Sequence, residues 1–164
     1  MEVAPLNIVT SLLAGLVLHE LGHFVAARIY NIPVTQLGFG WGPKVFTIRA
    51  NNVEYCFRAL PVGAYVRMDI AELQRRPLKQ QLIVLLAGIA VNLVLAAIAW
   101  GSFFGLINLA LAIGNLFPLY QFDGWKTGMV IFRRLFRGKN AFVEWSFTIS
   151  AGLIGLAIFA RAIL

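Results

Sequence analysis

The sequence predicts an α-helical polytopic membrane protein, with four transmembrane segments and a small membrane-associated β-hairpin or sheet between the first two. The 164-residue chain is 60% hydrophobic and only 13% charged, and its mean hydropathy is +0.79. Soluble domains are about 45–50% apolar and about 25% charged. The apolar residues also form runs long enough to cross a hydrocarbon core of ~30 Å. We therefore interpret residues 1–164 as one membrane-embedded domain.

The first predicted transmembrane segment covers residues 6–29. It lacks a basic n-region and a small-residue cleavage site, so we interpret it as a retained helix and not as a signal peptide. It also carries His19, Glu20 and His23 within its apolar run. Ionisable side chains are expensive at membrane depth, which makes these three residues candidates for function.

The β-region predicted at residues 33–68 differs from the rest of the chain. The stretches 34–48 and 53–68 are rich in glycine and in β-branched and aromatic residues, and Arg49 to Asn52 predicts a turn between them. The apolar content of these stretches indicates that the region lies against the bilayer or dips into it. An edge of such a sheet offers a place for an extended peptide segment to bind by strand addition. The alternative is that the sheet only braces the bilayer interface.

The remaining transmembrane segments are predicted at 80–101, 103–136 and 141–164. Gly101 and Ser102 are nearly all that separates the second segment from the third, which indicates a tight helical hairpin. Pro118 interrupts the third segment, and we expect a second helical piece to begin near Asp123 or Gly124. Non-helical backbone is tolerated at membrane depth where it is covered by protein or lines a cavity. The break therefore favours a functional site.

The distribution of basic residues predicts the orientation. Eight of the 14 Lys and Arg residues lie between the first two segments: Arg28, Lys44, Arg49, Arg58, Arg67, Arg75, Arg76 and Lys79. Five more follow the middle of the third: Lys126, Arg133, Arg134, Arg137 and Lys139. By the positive-inside rule, the β-region is cytosolic and both termini are extracytosolic, and we expect a prokaryotic cell membrane. The net charge of +7 thus indicates the lipid bilayer, and not nucleic acid, as the partner of these residues.

The sequence His19-Glu20-Leu21-Gly22-His23 fits the pattern H-E-x-x-H. Residues four apart share a face of a helix, so both imidazoles can bind one Zn²⁺. Glu20 can then act as the general base on a water at the metal. These are the only two histidines in the chain, and a merely structural contact between them is the less favoured interpretation.

A catalytic zinc usually takes three protein ligands. Cys56 is alone, which argues against a cysteine-based site. Among the seven acidic residues, Asp123 is the one besides Glu20 that lies at a break within an apolar segment, and it is our predicted third ligand. Capping of the helix that begins at Gly124 is the alternative role for Asp123, and the two roles are compatible. Glu144 lies close to the cytosolic end of the fourth segment, and we expect it to snorkel to the interface or to pair with a nearby arginine.

Several motifs in order resemble the site-2 protease family of intramembrane zinc metalloproteases. Residues 19–23 match the family's first motif, and Asn115 to Pro118 followed by Asp123-Gly124 match its N-x-x-P…D-G motif. Residues 87–92 resemble A-G-P-x-x-N, and residues 61–68 resemble P-x-G-G-Y-V-K-M. The resemblance implies that His19, His23 and Asp123 bind zinc.

The sequence departs from the family pattern at two positions. Ile89 replaces the usual proline, and Trp125 stands where a second glycine is common, which predicts a narrower region beside Asp123. The connections also leave no room for a PDZ domain between the second and third segments, so we expect a minimal core without PDZ or CBS domains.

The resemblance implies hydrolysis of a peptide bond within or next to a transmembrane helix of a protein or peptide substrate. Asn115 is a candidate to bind the substrate backbone or oxyanion, with a helix–helix contact equally favoured. Asn92 is a weaker substrate-binding candidate and fits better as a polar contact between helices. Alternatives are a non-catalytic metal-binding scaffold of the same fold and a transporter. The sequence does not predict the substrate or the oligomeric state.

Overall fold

A computed structural model describes residues 5–135 and 141–163. The elements in chain order are α1 (Pro5–Ile29), β1 (Val34–Ala50), β2 (Val53–Met68), α2 (Ile70–Arg75), α3 (Leu78–Ile98), α4 (Phe103–Leu116), α5 (Asp123–Leu135) and α6 (Ala141–Ile163). The chain is thus mostly helical with one small sheet, as predicted. The predicted ends of the third and fourth segments, residues 136 and 164, lie outside the described residues.

Two of the described helices are long and apolar enough to cross a membrane, the stretches Asn7–Ile29 and Leu78–Ile98. Phe103–Leu116 and Glu144–Ile158 are apolar but shorter. The predicted interruption of the third segment is confirmed, because α4 ends at Leu116 and the next helix begins at Asp123. Two spans are therefore supported by length and composition, and four spans remain a prediction.

The predicted β-region forms a small antiparallel sheet of β1 and β2, joined by a turn at Asn51 and Asn52. Its register is more elaborate than that of a simple hairpin. On one side, Gln36 to Phe39 pair with residues 64–67, and the residue numbers of the two segments run in opposite directions. On the other side, the same residues pair with Glu54 to Phe57, and there the residue numbers rise together. The first half of β1 therefore lies between the two halves of β2. Glycine at positions 40 and 42, with φ near +90°, accompanies the bend in β1.

The short helix α2 was not predicted. Asp69 precedes it, and its carboxylate accepts a hydrogen bond from the backbone N–H of Glu72 at 3.0 Å. This is the capping geometry that Asp supplies at the start of a helix. The helix places Leu73, which is 2% exposed, into the core.

The hydrophobic core lies where the end of α1 meets the first residues of the sheet and the first half of α3. Its buried members are Ala26, Ala27, Ile32, Val34, Leu37, Val53, Leu73, Val84 and Leu85. Helix α1 packs against α3, α4 and β2, and α3 packs against α4 and α5. Because α1 contacts four further elements, β1 included, and α3 contacts three, the two helices form a rigid frame for the polar residues at the centre of the bundle.

Candidate metal centre

Three side chains from two helices meet at the centre of the bundle. Helix α1 presents His19 and His23, which are four residues apart and 4% and 6% exposed, and α5 presents Asp123 at its first turn. Oδ2 of Asp123 lies 2.9 Å from Nε2 of each histidine, and the two Nε2 atoms are 3.2 Å apart. Among the described residues, these three form a group able to hold one metal ion.

The arrangement of these atoms fits zinc. Two imidazole nitrogens and a carboxylate oxygen are ligands that zinc accepts. Three ligand atoms around a tetrahedral zinc, at bond lengths of about 2.0–2.1 Å, lie roughly 3.3–3.4 Å from one another. The observed separations of 2.9–3.2 Å need only a few tenths of an ångström of expansion.

A backbone carbonyl orients His23. Its Nδ1 lies 2.8 Å from the carbonyl oxygen of Val84 on α3. A carbonyl can only accept, so Nδ1 carries the hydrogen, and the neutral imidazole then has its lone pair on Nε2. An outer hydrogen bond of this kind is the usual support for a histidine that binds a metal.

A chain of two asparagines orients His19 in the same way. The carbonyl of Phe104 accepts from Nδ2 of Asn108 at 2.9 Å, and Oδ1 of Asn108 accepts from Nδ2 of Asn92 at 3.0 Å. Oδ1 of Asn92 then lies 2.6 Å from Nδ1 of His19. Since the chain begins at a carbonyl that can only accept, each amide has one consistent orientation, and Nδ1 of His19 carries the hydrogen. Nε2 of His19 is therefore also free to bind a metal.

Asp123 is held by the break between α4 and α5. Helix α5 begins at Asp123, where the prediction allowed 123 or 124, and the N–H of Lys126 bonds to the carbonyl of Phe122. Oδ1 of Asp123 accepts from Nζ of Lys126 at 3.0 Å, while Oδ2 faces the imidazoles. A Cβ at Gly124 would overlap the carbonyl oxygen of Leu116, so glycine is needed for this close approach.

Gly88 leaves room beside the histidines. A Cβ built on it would lie 2.5 Å from Nε2 of His23 and 2.6 Å from Nε2 of His19. Any larger residue at this point of α3 would occupy space next to both nitrogen lone pairs. This position was not predicted as part of the site, because a glycine carries no ligand atom that a pattern of side chains would reveal.

Glu20 lies beside the three predicted ligands. It lines a cavity of about 390 Å³ together with His23, Asp123 and Lys126. Oε2 of Glu20 accepts a hydrogen bond from the backbone N–H of Val66 at 2.9 Å. Strand β2 thus approaches the candidate base directly, and residues 66–68 form part of the cavity wall.

The two predicted substrate-binding asparagines occupy different positions. Asn92 is 0% exposed, and its amide is bonded to His19 and Asn108, so no polar atom of it faces the cavity. Asn115 donates from Nδ2 to the carbonyl of Leu111 in its own helix at 3.0 Å, and it does not line the cavity beside Glu20. A substrate contact by Asn115 stays a prediction.

Other predicted details are resolved by the contacts. Glu144 accepts two hydrogen bonds from Arg133, at 2.7 and 2.9 Å, as the expected pairing with an arginine requires. Trp125 stacks edge-to-face on Tyr120, with ring centroids 5.1 Å apart, and is absent from the described residues that line the cavity. A narrower region beside Asp123 stays a prediction.

Comparisons with known proteins agree with this geometry. The profile of peptidase family M50 matches residues 7–104, which include His19, Glu20 and His23. A protein of Fusobacterium nucleatum, whose name is that of a zinc metalloprotease, is 35% identical over 101 residues, covering 56% of this chain and 30% of its own length. A similarly named protein of Synechocystis is 39% identical over 90 residues, covering 48% and 25%.

The similarity extends to a plant relative. The chloroplastic membrane metalloprotease of Arabidopsis thaliana is 33% identical over 115 residues, covering 63% of this chain and 25% of its own length. The chain thus spans about a quarter to a third of the length of these relatives.

Proposed function

The chain belongs to peptidase family M50, and on that premise we propose that it is a zinc-dependent endopeptidase that cleaves a membrane protein within or next to a transmembrane helix. The observation that carries the proposal is the meeting of His19, His23 and Asp123 around a single point, with Glu20 in the same cavity. Zinc and a membrane location follow from the family and the apolar helices. Intramembrane cleavage of a substrate is the step that we add.

The proposed ligands are His19, His23 and Asp123. When bound there, zinc supplies a Lewis acid that polarises a carbonyl and makes water a nucleophile near neutral pH. The chain's own part is to hold the ligands in place. Val84 and Asn92 hold the imidazoles in the tautomer that leaves Nε2 free, and Lys126 binds the outer oxygen of Asp123.

Glu20 is the proposed general base and acid. Its carboxylate takes a proton from the attacking water and passes it to the nitrogen of the leaving amine. The hydrogen bond from Val66 N–H to Oε2 restrains the carboxylate and leaves Oε1 for the proton transfer. A half-buried, restrained carboxylate beside a metal centre is the arrangement that this chemistry requires.

The proposed topology places the reaction at the cytosolic side of the bilayer. Four transmembrane segments, a cytosolic β-region and extracytosolic termini account for the distribution of the basic residues. In support, several large apolar side chains of the sheet are exposed, including Trp41 at 73% and Val45 at 71%. Exposed aromatic and aliphatic side chains of this kind are favoured at a membrane interface.

Strand addition is the proposed mode of substrate binding. A helical substrate hides its carbonyls in backbone hydrogen bonds, so a segment must unwind before attack. The edge of β2 at residues 66–68 lines the cavity beside Glu20 and can pair with an extended segment. Proline substitutions at residues 64, 65, 67 and 68, which keep the Val66 N–H on Glu20, should slow cleavage if the edge is used. Unchanged cleavage by well-folded proline variants would mean that the sheet only braces the interface.

The Glu20→Gln variant tests the proposed reaction. We expect it to bind zinc like the wild type but to cleave at least 100-fold more slowly, because general base catalysis contributes roughly 10²–10⁴-fold. Zinc content is measured on the purified protein. Cleavage is measured by proteomics of membrane fragments from cells that express either form.

The matched control is Glu72→Gln, which makes the same change of charge outside the cavity, on α2. It should leave the fragment pattern unaltered. If Glu20→Gln retained full cleavage, the proposed protease function would be wrong. If the wild type bound zinc but produced no fragments beyond those of the variant, the non-catalytic scaffold would be favoured.

A further inference from the structure

A second cavity, separate from the metal centre, lies where α2 and the start of α3 face α5 and α6. Its volume is about 1000 Å³, and four arginines line it: Arg75, Arg76, Arg133 and Arg134. None of these residues has a part in the proposed reaction. The cavity lies in the portion of the chain that the positive-inside rule assigns to the cytosolic interface.

The positive charges in and beside this cavity exceed the negative ones. Arg133 is paired with Glu144, and Arg76 is paired with Glu72 at 2.8 Å. Arg75 approaches Glu72 only at 3.4 Å and is 78% exposed in its side chain. Within residues 5–135 and 141–163, no hydrogen bond or ion pair engages Arg134. Four guanidinium groups against two carboxylates leave two positive charges in excess.

Further donors at the cavity have no partner of their own. Nε of Arg76 is buried, and none of the described residues accepts its hydrogen. The first turn of α3, at Pro77 and Leu78, also lines the cavity, and no side chain caps it. The free N–H groups of a helix N-terminus carry partial positive charge and favour an anion. The arginines and this helix end therefore point to the same ligand chemistry, a phosphate group.

An apolar groove adjoins the cavity. It has a volume of about 880 Å³ and lies between α1 and α3, and apart from Lys79 its lining is apolar or glycine. Leu78 lines both the groove and the arginine cavity. Along α1 the groove runs from Leu18 to Ile29, which is about 16 Å at the helical rise. This length is close to the ~15 Å of one leaflet of the hydrocarbon core.

We propose that the arginine cavity and the groove together bind one anionic phospholipid. Its phosphate lies among the arginines, and an acyl chain lies between α1 and α3. Free phosphate would satisfy the arginines, but it would leave the apolar groove unexplained. Because Leu78 lines both spaces, a single lipid of the cytosolic leaflet accounts for the arginines and the groove together. The proposal does not depend on proteolysis, because the site is separate from Glu20 and the metal ligands.

The test uses the full chain in nanodiscs of phosphatidylcholine with or without phosphatidylglycerol. Native mass spectrometry measures the retained phosphatidylglycerol, and thermal unfolding measures the shift in Tm. We expect the double variant Arg75→Gln/Arg134→Gln to bind the lipid about 30-fold more weakly. Each arginine near an anionic lipid surface contributes about 1 kcal/mol, and about 1.4 kcal/mol corresponds to a tenfold change in affinity. Both side chains are outside the closest ion pairs, so folding should be preserved.

The control is Arg49→Gln/Arg161→Gln, which removes the same charge from exposed positions elsewhere and should retain the lipid. Equal lipid loss in the control would overturn the proposal, because it would show attraction by overall charge alone. Unaltered retention by the first double variant would overturn it too. Ala90→Phe fills the groove at an exposed position and should also reduce retention. If inorganic phosphate in lipid-free detergent raised Tm as much as phosphatidylglycerol does, a phosphate site would replace the lipid site.

Discussion

The metal centre and the β-sheet differ in which side chains they bury and which they expose to the surroundings. In the bundle, polar residues such as Asn92 and Asn108 are 0% exposed, and each amide is bonded within the protein. In the sheet, apolar residues such as Trp41 are exposed, while the Lys44–Glu54 ion pair is partly open to solvent. One region buries hydrogen-bonded polar groups, and the other presents apolar groups outward.

This difference separates two requirements of the proposed reaction. Buried polar groups must be satisfied or they cost free energy, so the network around the histidines has one favoured arrangement. That rigidity suits a metal centre, whose ligands must be held within a few tenths of an ångström. The sheet contacts the centre through Val66 and Glu20, and its exposed apolar side chains, such as Trp41, suit binding of lipid or substrate.

The largest expected effect comes from filling the space beside the histidines. Gly88→Ala puts a Cβ within 2.5–2.6 Å of both Nε2 atoms, so the ligands must move apart. We expect zinc affinity to fall by more than about 100-fold, beyond the 10–100-fold that loss of an outer hydrogen bond causes. Zinc competition with a chelator measures the affinity.

Gly114→Ala is the matched control, because a Cβ at this glycine meets nothing within 4 Å. It should keep zinc affinity and stabilise α4 by up to about 1 kcal/mol, the difference in helix propensity. Wild-type zinc affinity in Gly88→Ala would show that the histidines do not need this space, and would remove the argument for a rigid centre.

A smaller effect is expected from breaking the asparagine chain. Asn108→Ala leaves the Nδ2 donor of Asn92 buried without a partner, at a cost of roughly 1–3 kcal/mol. Asn92 is then free to rotate, and His19 loses its fixed tautomer, so we expect zinc affinity to fall about tenfold. Chelator competition and chemical unfolding measure the two effects.

Asn115→Ala provides the comparison on the same helix. Its amide bonds only to the carbonyl of Leu111 one turn earlier among the described contacts, so zinc affinity should not change. If cleavage alone fell in this variant, the predicted substrate contact of Asn115 would gain support. If Asn108→Ala and Asn115→Ala lowered zinc affinity equally, the hydrogen-bond chain from Asn108 through Asn92 to His19 would not explain the effect.

The parts of the site that the sequence predicted are those encoded locally or by elimination. The spacing of His19 and His23 is a property of one helix, and Asp123 is the acid at the break within the third apolar segment. Asn108 and Val84 could not be predicted in the same way. Their roles depend on how α3 packs against α4 and α1, and the spacing along one chain segment does not reveal this register.

The fold shows the same division between local and long-range information. The helices and the turn at Asn51 and Asn52 follow from apolar runs and turn residues. The second pairing of Gln36 to Phe39 with Glu54 to Phe57 depends on contacts across the bend, which no local pattern records. The missed helix α2 had a signal, since Asp69 and Glu72 have the spacing of a capping sequence.

The smallest expected effect tests whether the two regions are independent. Nζ of Lys44 donates to Oε1 of Glu54 at 2.7 Å and, with the Cys56 thiol, lowers the pKa of Glu54 from 4.5 to about 2. Because the folded pKa is depressed, the stabilising effect of the pair is complete above pH 4.5 and is lost as pH falls toward 2. Lys44→Met should move the pKa of Glu54 back toward 4.5, as measured by NMR titration of its carboxyl carbon.

At pH 7 the Lys44→Met variant should lose little stability, because the pair is near the surface, and it should keep the zinc affinity of the wild type. Lys79→Met, which removes a lysine distant from the pair, should leave the Glu54 titration unchanged. A lower zinc affinity in Lys44→Met would mean that the sheet transmits strain to the metal centre through Val66 and Glu20, and the two regions would then form one cooperative unit.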